Sequence, residues 1–177
     1  DAYFKLLNIF LRVCDAVAFA HDRGVVHRDL KPDNIMVGAF GEVYLMDWGI
    51  ARLLGHSFAP AADELDGPVR IKRARSDDEE KGQIIGTFFY MSPEQAQAEI
   101  EKIDERTDVF LLGGVLYEIL TGQPPYMGSS IVEVVRAAQK CRIAAPGVVA
   151  PERHIPEALS HIAMRCLAKD RADRYQS

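Results

Sequence analysis

From Phe4 to His21, apolar and small residues return at steps of three and four, through Leu7, Leu11, Cys14 and Ala18. That spacing predicts an amphipathic helix with these six positions on its buried face, ended by Gly24 in the place of a C-terminal cap. Val25-Val26 is too short for more than a strand stub. Ile35-Met36-Val37 and Val43-Tyr44-Leu45-Met46 flank Gly38 to Gly41 and predict a hairpin that delivers Asp47 at the end of its second strand. Asp108 to Leu120 is apolar on nearly every face, the mark of a helix buried all round, and Thr121-Gly122 with Pro124-Pro125 stops it. Ser129 is placed to cap a further helix to about Lys140, with Ile131, Val132, Val135 and Ala138 inward. A last helix starts near Pro156 and runs through Ile162, Cys166 and Leu167. With no internal repeat, these elements predict one mainly α domain around a central helix, carrying a small β-hairpin.

Residues 53 to 83 follow no apolar period. Pro60, Gly67, Pro68 and Gly82 punctuate them, a basic cluster (Arg70, Lys72, Arg73, Arg75) precedes an acidic one (Asp77 to Glu80), and a long, flexible, solvated insertion is predicted. The 177 residues suffice for one domain with a sizeable core, and 48% hydrophobic with 27% charged residues is an ordinary globular composition. A net charge of -5 leaves no basic surplus to neutralise nucleic-acid phosphates, which removes that class of partner. Cys14, Cys141 and Cys166 are odd in number and far apart in sequence, which favours free thiols in a reducing compartment over a disulfide or zinc site. The most apolar run, Val109 to Leu120, is too short for a membrane span and contains Glu118; no signal peptide opens the chain.

The chemistry gathers in His27-Arg28-Asp29-Leu30-Lys31-Pro32-Asp33-Asn34 and, beyond the hairpin, Asp47-Trp48-Gly49. A carboxylate to orient a hydroxyl, an ammonium to face a moving phosphoryl group, and a carboxamide and second carboxylate as oxygen ligands for magnesium are what phosphoryl transfer requires. Taken singly, each Asp or Asn would be a turn former and Lys31 a solvated cation. Their order and spacing make the chain resemble a eukaryotic-type serine/threonine protein kinase, most closely the bacterial receptor-like branch, whose catalytic and metal-binding loops carry this pattern.

The resemblance implies a role for each matching position. Asp29 is the catalytic base, with Lys31 beside the transferred phosphoryl group and Thr87 linking the two. Lys31, Asp33, Asn34, Met36 and Asp47 form the nucleotide side of the site, Met36 beneath the adenine ring and Asn34 and Asp47 on Mg²⁺ (or Mn²⁺). His27 and Trp48 match two stacked residues, with Trp where Phe is commoner. Ser92-Pro93-Glu94 closes the activation segment and pairs through Glu94 with Arg174, and Asp108 holds the catalytic-loop backbone. Arg28 awaits an anion from the activation segment; Ser76 is the candidate phosphosite, and Glu79 and Glu80 are equally a phosphate substitute or an ordinary acidic loop.

No glycine-rich loop, VAIK-type lysine or partner glutamate precedes Asp29. The resemblance therefore implies a C-terminal lobe fragment, without the small lobe or the final helix, that alone binds ATP weakly and catalyses negligibly. The expected partners are ATP and protein substrates bearing Ser or Thr, in the cytoplasm. Dimerisation, sensors and any anchor would belong to the full-length protein. Two readings compete: a pseudokinase scaffold, opposed by intact Asp29, Lys31, Asn34 and Asp47, and a small-molecule phosphotransferase, opposed by Thr87 and the Ser92-Pro93-Glu94 closure.

Overall fold

A computed structural model of the chain describes residues 2–53 and 88–177. Thr87, Ser76, Glu79, Glu80 and the basic cluster at 70–75 lie outside the described residues. Helix α1 (Ala2–His21) leads through Gly24, at φ 70°, into strand β1 (Val25–Val26) and then the loop that begins at His27. A 3₁₀ turn at Pro32–Asn34 opens the hairpin of β2 (Ile35–Val37) and β3 (Val43–Leu45), antiparallel with Met36 opposite Tyr44. A strand the periodicity did not reveal, β4 (Arg52–Leu53), pairs antiparallel with β1, so the stretch read as an insertion from residue 53 starts no earlier than 54. Two residues per strand are too few for alternation to register, and the partner lies far away in sequence.

Helices α2 (Pro93–Ala96), α3 (Glu105–Thr121), α4 (Ile131–Lys140), α5 (Pro146–Val149) and α6 (Glu157–Cys166) complete the described chain, which is mainly α. Helix α3 is the predicted central helix, begun one turn earlier than the apolar run because Asp104 caps it by accepting from the Arg106 N–H. It feeds three clusters at once: Phe110 and Tyr117 with Tyr126, Val134, Ala138 and Leu167; Leu111 with Val13, Val17, Leu30 and Tyr90; Leu116 and Leu120 with Ala163. Gly122, at φ 77°, ends it in the left-handed conformation that glycine adopts most cheaply. Gly113 lets α6 close on α3, since a Cβ there would lie 2.5 Å from the Cys166 Cβ.

Two amphipathic faces differ from the sequence reading. Along α1 the buried stripe is Val13, Val17 and Ala20, with Leu7 and Phe10 partly covered, while Phe4 and Leu11 are 64% and 59% exposed and Ala18 faces out. The helix is apolar on too many faces for spacing to fix which one turns inward. Along α4 the inward residues are Val134 and Ala138; Ile131 and Val132 are exposed. Its cap is Ser130, whose hydroxyl accepts from the Glu133 N–H, whereas Ser129 donates to the Glu133 carboxylate. The helix carries apolar residues on more than one side, and the core takes Val134 and Ala138. All three cysteines are free, and burial pushes the Cys14 thiol up to about 11 and that of Cys166 up to about 12, so both stay protonated. Among the described residues no helix is long and apolar enough to cross a membrane.

Candidate active site

The site rests on one buried carboxylate. Asp108, in the first turn of α3, accepts the His27 N–H at 2.7 Å and the Arg28 N–H at 2.8 Å, and its Oδ2 lies 2.9 Å from Nε2 of His21 at the end of α1. Its charge is buried but surrounded by donors, the condition under which such burial is tolerated. The anchored loop holds Arg28 at φ 73°, and Asp47 sits at φ 62° after β3. Each such backbone costs roughly 1–3 kcal/mol and persists only where its surroundings fix it, a feature that concentrates at functional sites.

His27 joins the loop to the end of the hairpin. Its Nδ1 accepts the Asp29 N–H at 3.2 Å, which assigns the ring proton to Nε2 for donation to the Met46 carbonyl at 3.0 Å. The Trp48 ring leans on the same imidazole, centroids 4.5 Å apart, and its indole N–H donates to the Leu45 carbonyl at 3.0 Å. The Met46 N–H donates to the Asn34 carbonyl at 2.8 Å. Met46, bonded on both sides, therefore ties Asp47 to the loop.

Three of the predicted side chains touch. Lys31 Nζ lies 3.1 Å from Asp29 Oδ2, and the Asn34 amide donates to the Asp29 carbonyl at 2.6 Å and to its carboxylate at 3.0 Å. Lys31 and Asn34 are buried beneath the partly covered Asp29. Asp47 is exposed, one residue beyond the Met46–Asn34 bond; a Cβ on Gly49 would stand 3.2 Å from its Oδ1. Asp33 lies exposed in the 3₁₀ turn and Met36, half exposed, lies in β2; neither shares in the Asp29 contacts. The arrangement presents a carboxylate backed by a cation and a carboxamide, with Asp47 held one residue past the backbone bond that joins Met46 to Asn34.

Ser92 opens α2 with a capping box, its hydroxyl accepting from the Gln95 N–H at 3.3 Å and the Gln95 side chain accepting from the Ser92 N–H at 3.1 Å. Glu94 and Arg174 form a buried bidentate pair at 2.8 and 2.9 Å, and the Thr107 hydroxyl donates to Glu94 at 2.9 Å. Burial pushes the Glu94 carboxyl up, but the Arg174 hydrogen bonds and charge, with Thr107, outweigh it and leave it below the usual carboxylate range. Tyr90, just before this turn, donates its hydroxyl to Glu118 of α3.

Sequence reasoning missed two contributors. His21 was placed on an apolar face, although a polar residue on a buried stripe signals a partner, here Asp108. Gln95 passed unnoticed, although Ser at 92 with Gln three residues later is a capping-box signature.

The family model described as the protein kinase domain matches residues 4–177. The serine/threonine-protein kinase PknD of Protochlamydia amoebophila is 36% identical over 172 residues, which is 97% of this chain and 17% of that protein. PknD of Chlamydia pneumoniae is 40% identical over 172 residues, 97% of this chain and 18% of that protein. The serine/threonine-protein kinase PknB of Mycobacterium leprae is 38% identical over 175 residues, 98% of this chain and 24% of that protein. The chain thus spans between 17% and 24% of the length of these relatives.

Proposed function

Because the chain belongs to the protein kinase domain family, we propose that it is the C-terminal lobe of a serine/threonine kinase that moves the γ-phosphoryl group of ATP to Ser and Thr hydroxyls of proteins. The observation that carries this reading is the contact cluster of Asp29, Lys31 and Asn34, tied to Asp47 through Met46. Asp29 orients the incoming hydroxyl and takes its proton late in the transfer, because a loose transition state demands positioning more than a strong base. Lys31, held against Asp29, balances the charge on the transferred group. Met36 and Asp33 border the nucleotide; Thr87, expected from the resemblance to serve the substrate side, lies outside the described residues.

The donor set fits a hard divalent cation. Both amide hydrogens of Asn34 go to Asp29, leaving its carboxamide oxygen as a ligand, and Asp47 supplies an exposed carboxylate. Magnesium held by Asn34 and Asp47 would neutralise the ATP phosphates; no group of three His, Cys, Asp or Glu forms a closed cage among the described residues, and magnesium needs none. ATP and protein substrates place the work in the cytoplasm.

The test is Asp29→Asn in the full-length kinase. Phosphorylation of a protein substrate is expected to fall by about 10²–10⁴-fold with ATP affinity retained. A variant that still phosphorylates at the wild-type rate would refute the assignment, and a wild-type protein that binds ATP without transferring phosphate would make it a scaffold.

A further inference from the structure

We propose that Gln95 is a positioning residue for Asp29, acting through the peptide that joins Arg28 to Asp29. The inference rests on the kinase reading and deepens it. That peptide is a planar unit, so fixing its two polar atoms fixes the direction in which Asp29 leaves it. Its N–H end is held by Nδ1 of His27 at 3.2 Å. Its C=O end is held by Nε2 of Gln95 at 2.7 Å, across 67 residues of sequence. One residue earlier, the Arg28 N–H is held by Asp108, so the left-handed residue before Asp29 is clamped on each side.

Gln95 is suited to this because its own amide cannot turn over freely. Its Oε1 accepts the Ser92 N–H of the capping box, which commits Nε2 to donation. Ser92 is fully buried, and the adjacent Glu94 is locked by Arg174, so the short helix α2 is a firm platform. Any shift of the Ser92-Pro93-Glu94 turn would reach Asp29 through one hydrogen bond. Gln95 touches no reacting atom and is not itself catalytic.

Capping and positioning use different atoms of this side chain, so two substitutions in the full-length kinase separate them. Gln95→Glu keeps an acceptor for Ser92 and removes the donor to Arg28; Gln95→Lys keeps a donor and removes the acceptor. Gln95→Glu turns a carboxylate oxygen toward the Arg28 carbonyl and costs some stability, and we expect single-turnover phosphoryl transfer to slow by about 10–100-fold, beyond what that loss accounts for. Its KM for ATP stays within about twofold, as for an interaction expressed in the chemical step. Gln95→Lys should melt earlier yet transfer phosphate within about threefold of wild type.

Wild-type transfer by Gln95→Glu, or slowing of both variants only in step with lost stability, would overturn the proposal and leave the kinase reading standing. Asp29→Asn, run alongside, keeps the two claims apart. If it transfers phosphate normally, the kinase reading fails and there is nothing for Gln95 to position.

Discussion

Replacing Asp108 by Asn exchanges one acceptor oxygen for an N–H₂ that faces a backbone N–H, so at least one buried donor of the loop that begins at His27 loses its partner. With charge-assisted bonds at stake, Asp108→Asn should lower unfolding stability by about 3 kcal/mol, read from urea curves of equal slope. A loss below about 1 kcal/mol would mean that the loop is anchored elsewhere. At this scale the sequence pointed to some of the atoms that hold the loop, Asp108 on its amides and Glu94 with Arg174, and passed over others. Asp29, Lys31, Asn34 and Asp47 follow from a motif whose spacing is local. Supports such as His21 and Gln95 act on partners 87 and 67 residues away, and neither leaves a mark beyond an ordinary helix end or cap.

Between elements, α6 comes close to α3 at Gly113. Gly113→Ala would press a methyl group into the Cys166 side chain and toward its backbone carbon at 3.3 Å, so the helices must part. The expected cost is about 2 kcal/mol by thermal or urea unfolding. Gly147→Ala in α5 is the control, because an added Cβ meets nothing within 4 Å, and it should be neutral or stabilising by a few tenths of a kcal/mol. Elements were legible where one signal dominated. The hairpin announced itself by two β-rich runs around glycines, and α3 by a run apolar on nearly every face. The faces of α1 and α4 were not, because each helix offers apolar residues on more than one side and only the neighbouring elements choose between them.

Across the molecule, the Glu94–Arg174 pair joins positions 80 residues apart. Arg174→Met would strand the Glu94 carboxylate in the interior, and roughly 3–5 kcal/mol of stability should be lost at neutral pH. The acid response fixes the sign. In the wild type the carboxyl lies below its unfolded value of 4.5, so its contribution is complete above that value and drains away as the pH falls further. In the variant, burial without the cation raises the same carboxyl, so acid relieves it. The stability gap between the two proteins should therefore narrow on acidification, measured by denaturation from pH 7 to about pH 4; a gap independent of pH would show that Glu94 is not the titrating group. The Asp108 anchor has a consequence of another kind. In the loop it grips main-chain amides, not side chains, so for its own hold it asks only that positions 27 and 28 not be proline, apart from the left-handed backbone at 28 and the ring contacts of His27. A side-chain change at Arg28 that tolerates the left-handed backbone leaves the mooring as it was.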